Sequence, residues 1–292
     1  MNLDLRARLD AIEDLPTLPE VVRLLNEALA DPEVSFSRVA DIISDDPVVT
    51  AKLLRLVNSA YYRRLADDRE ITSVSYAVGR VGMTEIRNLA MTLSLFGLFR
   101  GPWQTIDRRE FWRHCLSTAI SARVIYDFTQ NLPSHPADAE NVYYVSGLCH
   151  DLGLVVLEHY FRHDFAEALA EARADGVPLH EVEERAWGIN HGEVGAYVAF
   201  RWGLPTTVVA ALNYHHRPTL ATAPFSTVAH VVHLADYLCL QNGIGPAELM
   251  GTLPQVTDSL SGLNLETRTL YELFEVVSEE SRRQDVLLTV AA

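Results

Sequence analysis

The chain has 292 residues, of which 48% are hydrophobic and 22% charged, with 24 Lys and Arg against 39 Asp and Glu and a formal charge of −15 at pH 7. Such a length can bury about three quarters of its unfolded surface, and the composition is that of a globular protein rather than a disordered or fibrous one. The acidic balance, with basic residues scattered, argues against nucleic-acid binding, which needs clustered Lys and Arg against phosphates.

The start, "MNLDLRARLD", alternates charge with leucine and has no apolar stretch of signal-peptide length. The first helix has a readable beginning: Thr17 can cap, Glu20 can complete a capping box, and Pro19 falls in the first turn. Val21, Val22, Leu25 and Leu29 form its apolar stripe. A second helix after "DPEVS" carries Val39, Ile42 and Ile43. Asp46 then caps a third that begins at Pro47, with an apolar face on Val48, Leu53, Leu54 and Val57. Two more helices, "SVSYAVGRVG" and "TEIRNLAMTLSLFGLF", complete a first bundle, and "RGPWQTIDRRE" reads as a junction. The longest apolar run, "LAMTLSLFGLF", is too short for a membrane span.

Apolar residues recur at intervals of three and four throughout, and strand-like alternation is nearly absent, so the chain reads as all-α. The expected division is a helical subdomain over 1–104, a second helical bundle over 105–240 and a helical extension over 241–292 built around "LETRTLYELFEVVSEESRR". Five helices are expected in the second bundle: "EFWRHCLSTAISARVIYDF", "SGLCHDLGLVVLEHY", "HGEVGAYVAFRWG", "PTTVVAALNYHH" and "STVAHVVHLADYLCL". The paired arginines at 63–64, 108–109 and 282–283 read as solvated faces. Cys115, Cys149 and Cys239 are odd in number, far apart and without a CxxC pairing, so reduced thiols in a cytoplasmic protein are expected.

Each of those five helices brings His or Asp to an apolar or mixed face: His114, then His150 with Asp151, then His191, then His215 with His216, then Asp236. Imidazole nitrogen and carboxylate oxygen suit Fe, Mn, Zn or Ni, and residues from separate helices can converge inside a bundle on one or two such divalent ions. Asp151 could bridge two of them. Adjacent helical residues point about 100° apart, so His150 and Asp151 can both reach a site lying between their faces. Gly192 and Gly195 after His191 would let another helix approach closely. His215 and His216 end their helix, where the macrodipole favours a protonated imidazole over a metal ligand. His135, His159, His163, His180, His230 and His233 read as ordinary core or surface residues.

The order His…His-Asp…Asp at His114, His150, Asp151 and Asp236 resembles the HD superfamily of helical metal-dependent phosphohydrolases. The blocks "LPTLPEVVRLL", "DIISDDPVVTAKLLRLVNSAYY" and "AVGRVGMTEIRNLAMTLSLF", followed by "FWRHCLSTA", "GLCHDLGLVVL", "HGEVGAYVAFRWGLP" and "NYHH", resemble the HDOD domain, the HD-related output domain of bacterial signalling proteins, over residues 12 to 240. That resemblance implies an N-terminal helical bundle joined to an HD-like bundle. It implies a role that is usually regulatory, with no enzymatic activity generally established; a signalling-protein partner or a nucleotide ligand is expected to carry that role. His191, His215 and His216 fall where the binuclear HD-GYP branch has further metal ligands, and Glu110, one turn before His114, matches a ligand position of trinuclear members. Against the catalytic relatives, Leu154 stands three residues after Asp151 where they have Lys, and "HHRPTLATAPFS" lacks their Gly-Tyr-Pro loop.

The leading expectation is therefore a signal-transduction module retaining a metal site. The alternative is a phosphohydrolase or phosphodiesterase acting on a nucleotide or cyclic dinucleotide, with Asp151 as the residue central to catalysis. Arg113, Arg201 and Arg217 are candidates to meet an anionic ligand. "VNSAYYRR", with Asn58, Ser59, Tyr61 and Tyr62, is the candidate partner surface.

Overall fold

The computed structural model describes residues 5–29, 31, 33–59, 62, 70–99, 101–136, 138–249, 255–283 and 288–289. Its regular elements are helices, with no strand among the described residues. The chain separates into two compact units, one comprising residues 16–100 and 283–292, the other residues 1–15 and 101–282.

The smaller unit contains α2 (Glu20–Leu29), α3 (Phe36–Ser44), α4 (Pro47–Val57), α5 (Val74–Val81) and α6 (Met83–Leu98). The backbone carbonyl of Pro19 opens α2 by accepting from Val22 and Arg23. Glu20 is an ion-pair partner of Arg23 rather than the reciprocal half of a box with Thr17. Ser35 caps α3 through the Arg38 amide at 3.1 Å. Asp46 caps α4, its Oδ1 accepting from Val48 and Val49 at 2.9 and 3.0 Å with Pro47 in the first turn, as the sequence predicts.

The buried face of α4 is Val49, Leu53, Leu56 and Val57: Leu53 and Val57 are buried as expected, whereas Val48 is 52% exposed and Leu54 half-buried, with Val49 and Leu56 in their stead. Positions 49, 53, 56 and 57 follow the i, i+4, i+7, i+8 stripe that one helix face requires. In this unit α3 packs on α5, α4 on α6, and α2 on both α3 and α6. Asn58 is committed internally: its Nδ2 donates to Leu54 and Ile71 carbonyls at 2.8 and 2.7 Å, and its Oδ1 accepts from the Ile71 amide at 2.8 Å. Tyr62 is buried with its hydroxyl on Glu85. These two members of the expected partner surface therefore face inward, while Tyr61, Arg63 and Arg64 lie outside the described residues.

The larger unit contains α1 (Leu5–Asp10), α7 (Arg108–Thr129), α8 (Ala139–Cys149), α9 (Leu152–Tyr160), α10 (Arg162–Asp175), α11 (Leu179–Trp187), α12 (His191–Arg201), α13 (Thr206–Tyr214), a 3₁₀ turn (Pro218–Leu220), α14 (Ser226–Gln241), α15 (Thr257–Gly262) and α16 (Thr267–Arg283). Its core is laid down where α7 packs along α8 and α14, with α13 against α8 and α14. Two expectations about boundaries are corrected here. Residues 5–15 belong to this unit, held by Arg8 on Asp164 at 2.8 Å and by the Tyr160 hydroxyl on the Asp14 carbonyl at 2.9 Å. Residues 241–282 are not an appendage, since Ile244, Leu260, Leu263, Leu273 and Val277 belong to the same buried cluster as Ile125, Tyr143 and Leu238. An amphipathic helix such as α16 needs an apolar partner, and this core supplies it.

"SGLCHDLGLVVLEHY" is two helices rather than one. The first ends at Cys149 and the second starts at Leu152, with His150 and Asp151 at the break. The helices α10 and α11, which fill the interval before α12, were not anticipated. The three cysteines are free and buried, and burial pushes the Cys149 and Cys239 thiols up to about 12. No helix among the described residues is long and apolar enough to cross a membrane.

Candidate metal centre

Two close helix crossings bring the polar side chains together. A Cβ on Gly147 would lie 2.7 Å from the Ala119 Cα, so only glycine lets α8 settle on α7 and set His150 beside His114. A Cβ on Gly153 would lie 1.9 Å from the His191 carbonyl, and one on Gly195 would lie 3.0 Å from the Gly153 amide. The α9–α12 crossing thus carries His191 to Asp151, with Gly195 in the role expected of it. Asn190 fixes the start of α12 in a capping box, accepting from the Glu193 amide at 3.1 Å while Glu193 accepts from the Asn190 amide at 3.0 Å.

Seven side chains then converge. His114 Nε2 stands 3.1 Å from Asp236 Oδ1, 3.2 Å from His150 Nε2 and 3.7 Å from Asp151 Oδ2. Asp151 turns Oδ2 to His150 Nε2 at 3.2 Å and Oδ1 to His191 and His215 Nε2 at 3.4 and 3.6 Å. His216 Nε2 meets His191 Nε2 at 2.6 Å. His114, His150 and Asp236 form one group capable of holding an ion, and Asp151, His191, His215 and His216 form a second, so the Asp151 carboxylate lies between them. All are buried except His216, which is half-buried. Glu110 belongs to neither group; its carboxylate lies 3.3 Å from Arg113.

The ring tautomers follow from the outer partners. His114 gives Nδ1–H to the Ile244 carbonyl at 3.0 Å, His150 to Gly147 at 2.8 Å and His215 to Leu212 at 2.7 Å. A carbonyl only accepts, so Nδ1 carries the proton in each, and each neutral ring turns the lone pair of Nε2 inward. As neutral rings, His114 and His150 aim two lone pairs at each other across 3.2 Å, a contact that a proton or an ion must bridge, and His215 Nε2 is buried without a hydrogen-bond partner. Two ligands about 2.1 Å from one ion at tetrahedral or octahedral angles stand about 3.0–3.4 Å apart, which matches the His114–His150 and His114–Asp236 separations. The residues fit a divalent metal.

Without an ion, protons and carboxylates balance one another in the cluster, and the Asp151 and Asp236 carboxylates push His150 up despite its burial. Burial alone would raise Asp151, but His150, His191 and His215 hold it well below the usual carboxylate range. Burial opposes charge on His191 as well, yet Glu183 and Asp151 push it up to about 10. His215 and His216 are both pushed down, chiefly by burial and then, for His216, by the neighbouring imidazoles. The protonation expected at their helix C-terminus is thereby overridden.

Two residues here were missed from the sequence. Glu183, fully buried on α11, accepts through Oε2 from both the Nδ1 and the backbone amide of His191, at 2.6 and 2.8 Å. His180, read as ordinary, stacks on His216 with centroids 4.2 Å apart and is pushed down to about 3 by burial and by His191 and His215. Their spacing of three on one helix face was the available signal.

A cavity of about 360 Å³ opens beside the cluster, lined in part by His114, Asp151, His180, His191, His216 and Asp236. Arg113, Arg201 and Arg217 do not line it: Arg113 meets Glu110, Arg217 meets Glu184, and Arg201 lies over the Tyr197 ring.

The family model for the HDOD domain matches residues 15–218. The chain belongs to the HDOD family. A similar protein, called uncharacterized, from Treponema pallidum (strain Nichols) is 30% identical over 229 residues, covering 78% of this chain and 42% of its own, so the chain spans less than half of that relative. The crystal structure of an HDOD domain protein of unknown function from Geobacter sulfurreducens superposes with a TM-score of 0.77 at 26% identity, over 98% of this chain and 95% of that one. A protein from Shewanella amazonensis SB2B, provisionally named a phosphohydrolase, shares the fold with a TM-score of 0.75 at 22% identity, each chain 98% covered. The helical HDOD architecture expected from the sequence is thus shared along nearly the whole length.

Proposed function

We propose that this HDOD protein is a signal-transduction module whose second bundle holds one or two divalent transition-metal ions and reports their presence, or that of a ligand beside them, without turning over a phosphoester. His114, His150 and Asp236 would hold one ion and His191, His215 and His216 the other, with Asp151 between. A bound divalent ion would supply positive charge able to draw an oxyanion and acidify water. The protein's own share is to keep four Nε2 atoms aimed inward, so that an ion replacing any proton there meets a lone pair from each. Glu183 and three carbonyls do this by fixing the outer nitrogens.

The observation that carries the reading is the pairing of an ordered His and Asp cluster with a wall that offers a phosphate little. Leu154, in the place of the catalytic relatives' Lys, lines the cavity, and Arg173 is the one Lys or Arg among the described lining residues. The position of Asp151 between the two groups favours a second reading, a metal phosphohydrolase of the kind the Shewanella protein is named for.

Manganese titration followed by a screen of phosphomonoesters, phosphodiesters and cyclic dinucleotides separates the two. The expected result is binding without turnover. Hydrolysis that disappears in Asp151→Ala would establish the second reading instead.

A further inference from the structure

Past the imidazoles, the cavity runs along a wall built from Leu154, Leu169, Val177, Leu179, Leu240 and Leu249. Among the described lining residues there is no Phe, Tyr or Trp on which a base could stack, and no Asn, Gln, Ser or Thr to read a base edge. Away from the cluster the described lining residues include one charge of each sign, Arg173 and Glu248. Glu248 Oε2 is buried without a hydrogen-bond partner, which opposes a second oxyanion on that side. A single divalent ion with Arg173 would balance Asp151, Asp236 and Glu248, so the enclosure accommodates a monoanion better than a dianionic phosphate.

We propose that this cavity binds an aliphatic chain ending in one carboxylate, its head toward the His and Asp cluster and its chain along the leucine wall. The assignment rests on the metal-holding reading above and specifies the ligand. A volume of about 360 Å³ lies within the range of small-molecule sites. Each methylene laid against the wall adds to affinity, so chain length is the natural probe.

The test has two stages on the full chain. Mn²⁺ is titrated alone by calorimetry; then butyrate, octanoate, octyl phosphate, octylamine and a cyclic dinucleotide are titrated into the Mn²⁺-loaded protein. Octanoate should bind at least tenfold more tightly than butyrate and more tightly than the other three. Leu179→Asn and Leu249→Asn, both at half-buried positions that tolerate a polar side chain, should each weaken octanoate at least fivefold and leave the Mn²⁺ affinity within twofold. Equal binding of octanoate and butyrate, preference for the phosphate, amine or dinucleotide, or insensitivity to both substitutions would overturn the ligand assignment while leaving the metal centre intact. Absence of Mn²⁺ binding in the first stage overturns the metal reading and the head-group placement with it.

Discussion

His114 and His150 each spend Nδ1–H on a carbonyl and then confront one another through Nε2 at 3.2 Å, an arrangement that asks for a proton or a cation between them. Glu183 sets the ring of His191 in the same way from outside. Because a carboxylate behind a ligating histidine both orients it and raises its basicity, Glu183→Gln should lower metal affinity about 10- to 100-fold, measured by calorimetry with Mn²⁺, while the helical content is unchanged. A titration equal to that of the unaltered protein would remove Glu183 from this role. A second buried histidine makes a prediction about pH. His230 is pushed down by burial and then by His233, with its Nδ1 3.1 Å from the Ser259 hydroxyl. A lowered folded value means the unfolded chain protonates first, so this contribution is present above about pH 6.5 and is lost as pH falls below it. Urea midpoints should decline from pH 7 to pH 5, less steeply in His230→Gln; equal slopes would refute the assignment. At this scale the seven converging residues were legible because ligand-type side chains recur in order on successive apolar helices. His180 and Glu183 were not, since their helix carries no apolar run that sets polar residues in relief.

Among the elements, the interruption at His150 and Asp151 is the one that matters most. A continuous helix would send adjacent side chains about 100° apart, whereas ending α8 at Cys149 and restarting at Leu152 lets Asp151 face both halves of the cluster. Nothing in "LCHDLGL" signals a break by composition, for it has no Pro and no Asn-Gly step, and the close approach of the His191 carbonyl to Gly153 is a tertiary contact that local sequence does not show. Gly153→Ala places a methyl 1.9 Å from the His191 carbonyl and should cost about 1–3 kcal/mol or more, measured by chemical denaturation. Gly79→Ala is the control: this exposed helical glycine has open space around it, so the same change should stabilise by about 0.5–1 kcal/mol. If both substitutions act alike, the close crossing has no energetic consequence. The caps at Asp46 and the stripe of α3 were readable for a local reason, that the cap and the periodicity are properties of a few adjacent residues. Only half of the α4 face, Leu53 and Val57, is legible in the sequence, because apolar residues at 48 and 54 compete with 49 and 56 and only tertiary contact selects between them.

For the whole chain, the sequence suggested a terminal extension after residue 240, and the core shows otherwise. Leu273 on α16 is fully buried in the cluster that includes Leu238 and Cys239 of the helix bearing Asp236. Leu273→Ala should cost about 2–5 kcal/mol in the unfolding of the larger unit, followed by circular dichroism during denaturation. A loss near zero would restore the extension to an accessory status. Long-range closure of this kind is invisible to periodicity, which identifies an amphipathic face but not the surface that covers it. A divalent ion in the second bundle would tie these residues, helices and core into one site. The most direct measurement is elemental analysis of protein purified without chelator, paired with melting in the presence and absence of EDTA. One or two transition-metal ions per chain, lost in Asp151→Ala, and a fall in melting temperature on chelation, equivalent to about 2.7 kcal/mol for metal at a hundred times its dissociation constant, are predicted. Metal-free protein whose melting ignores both chelator and added Mn²⁺ or Zn²⁺ would contradict it.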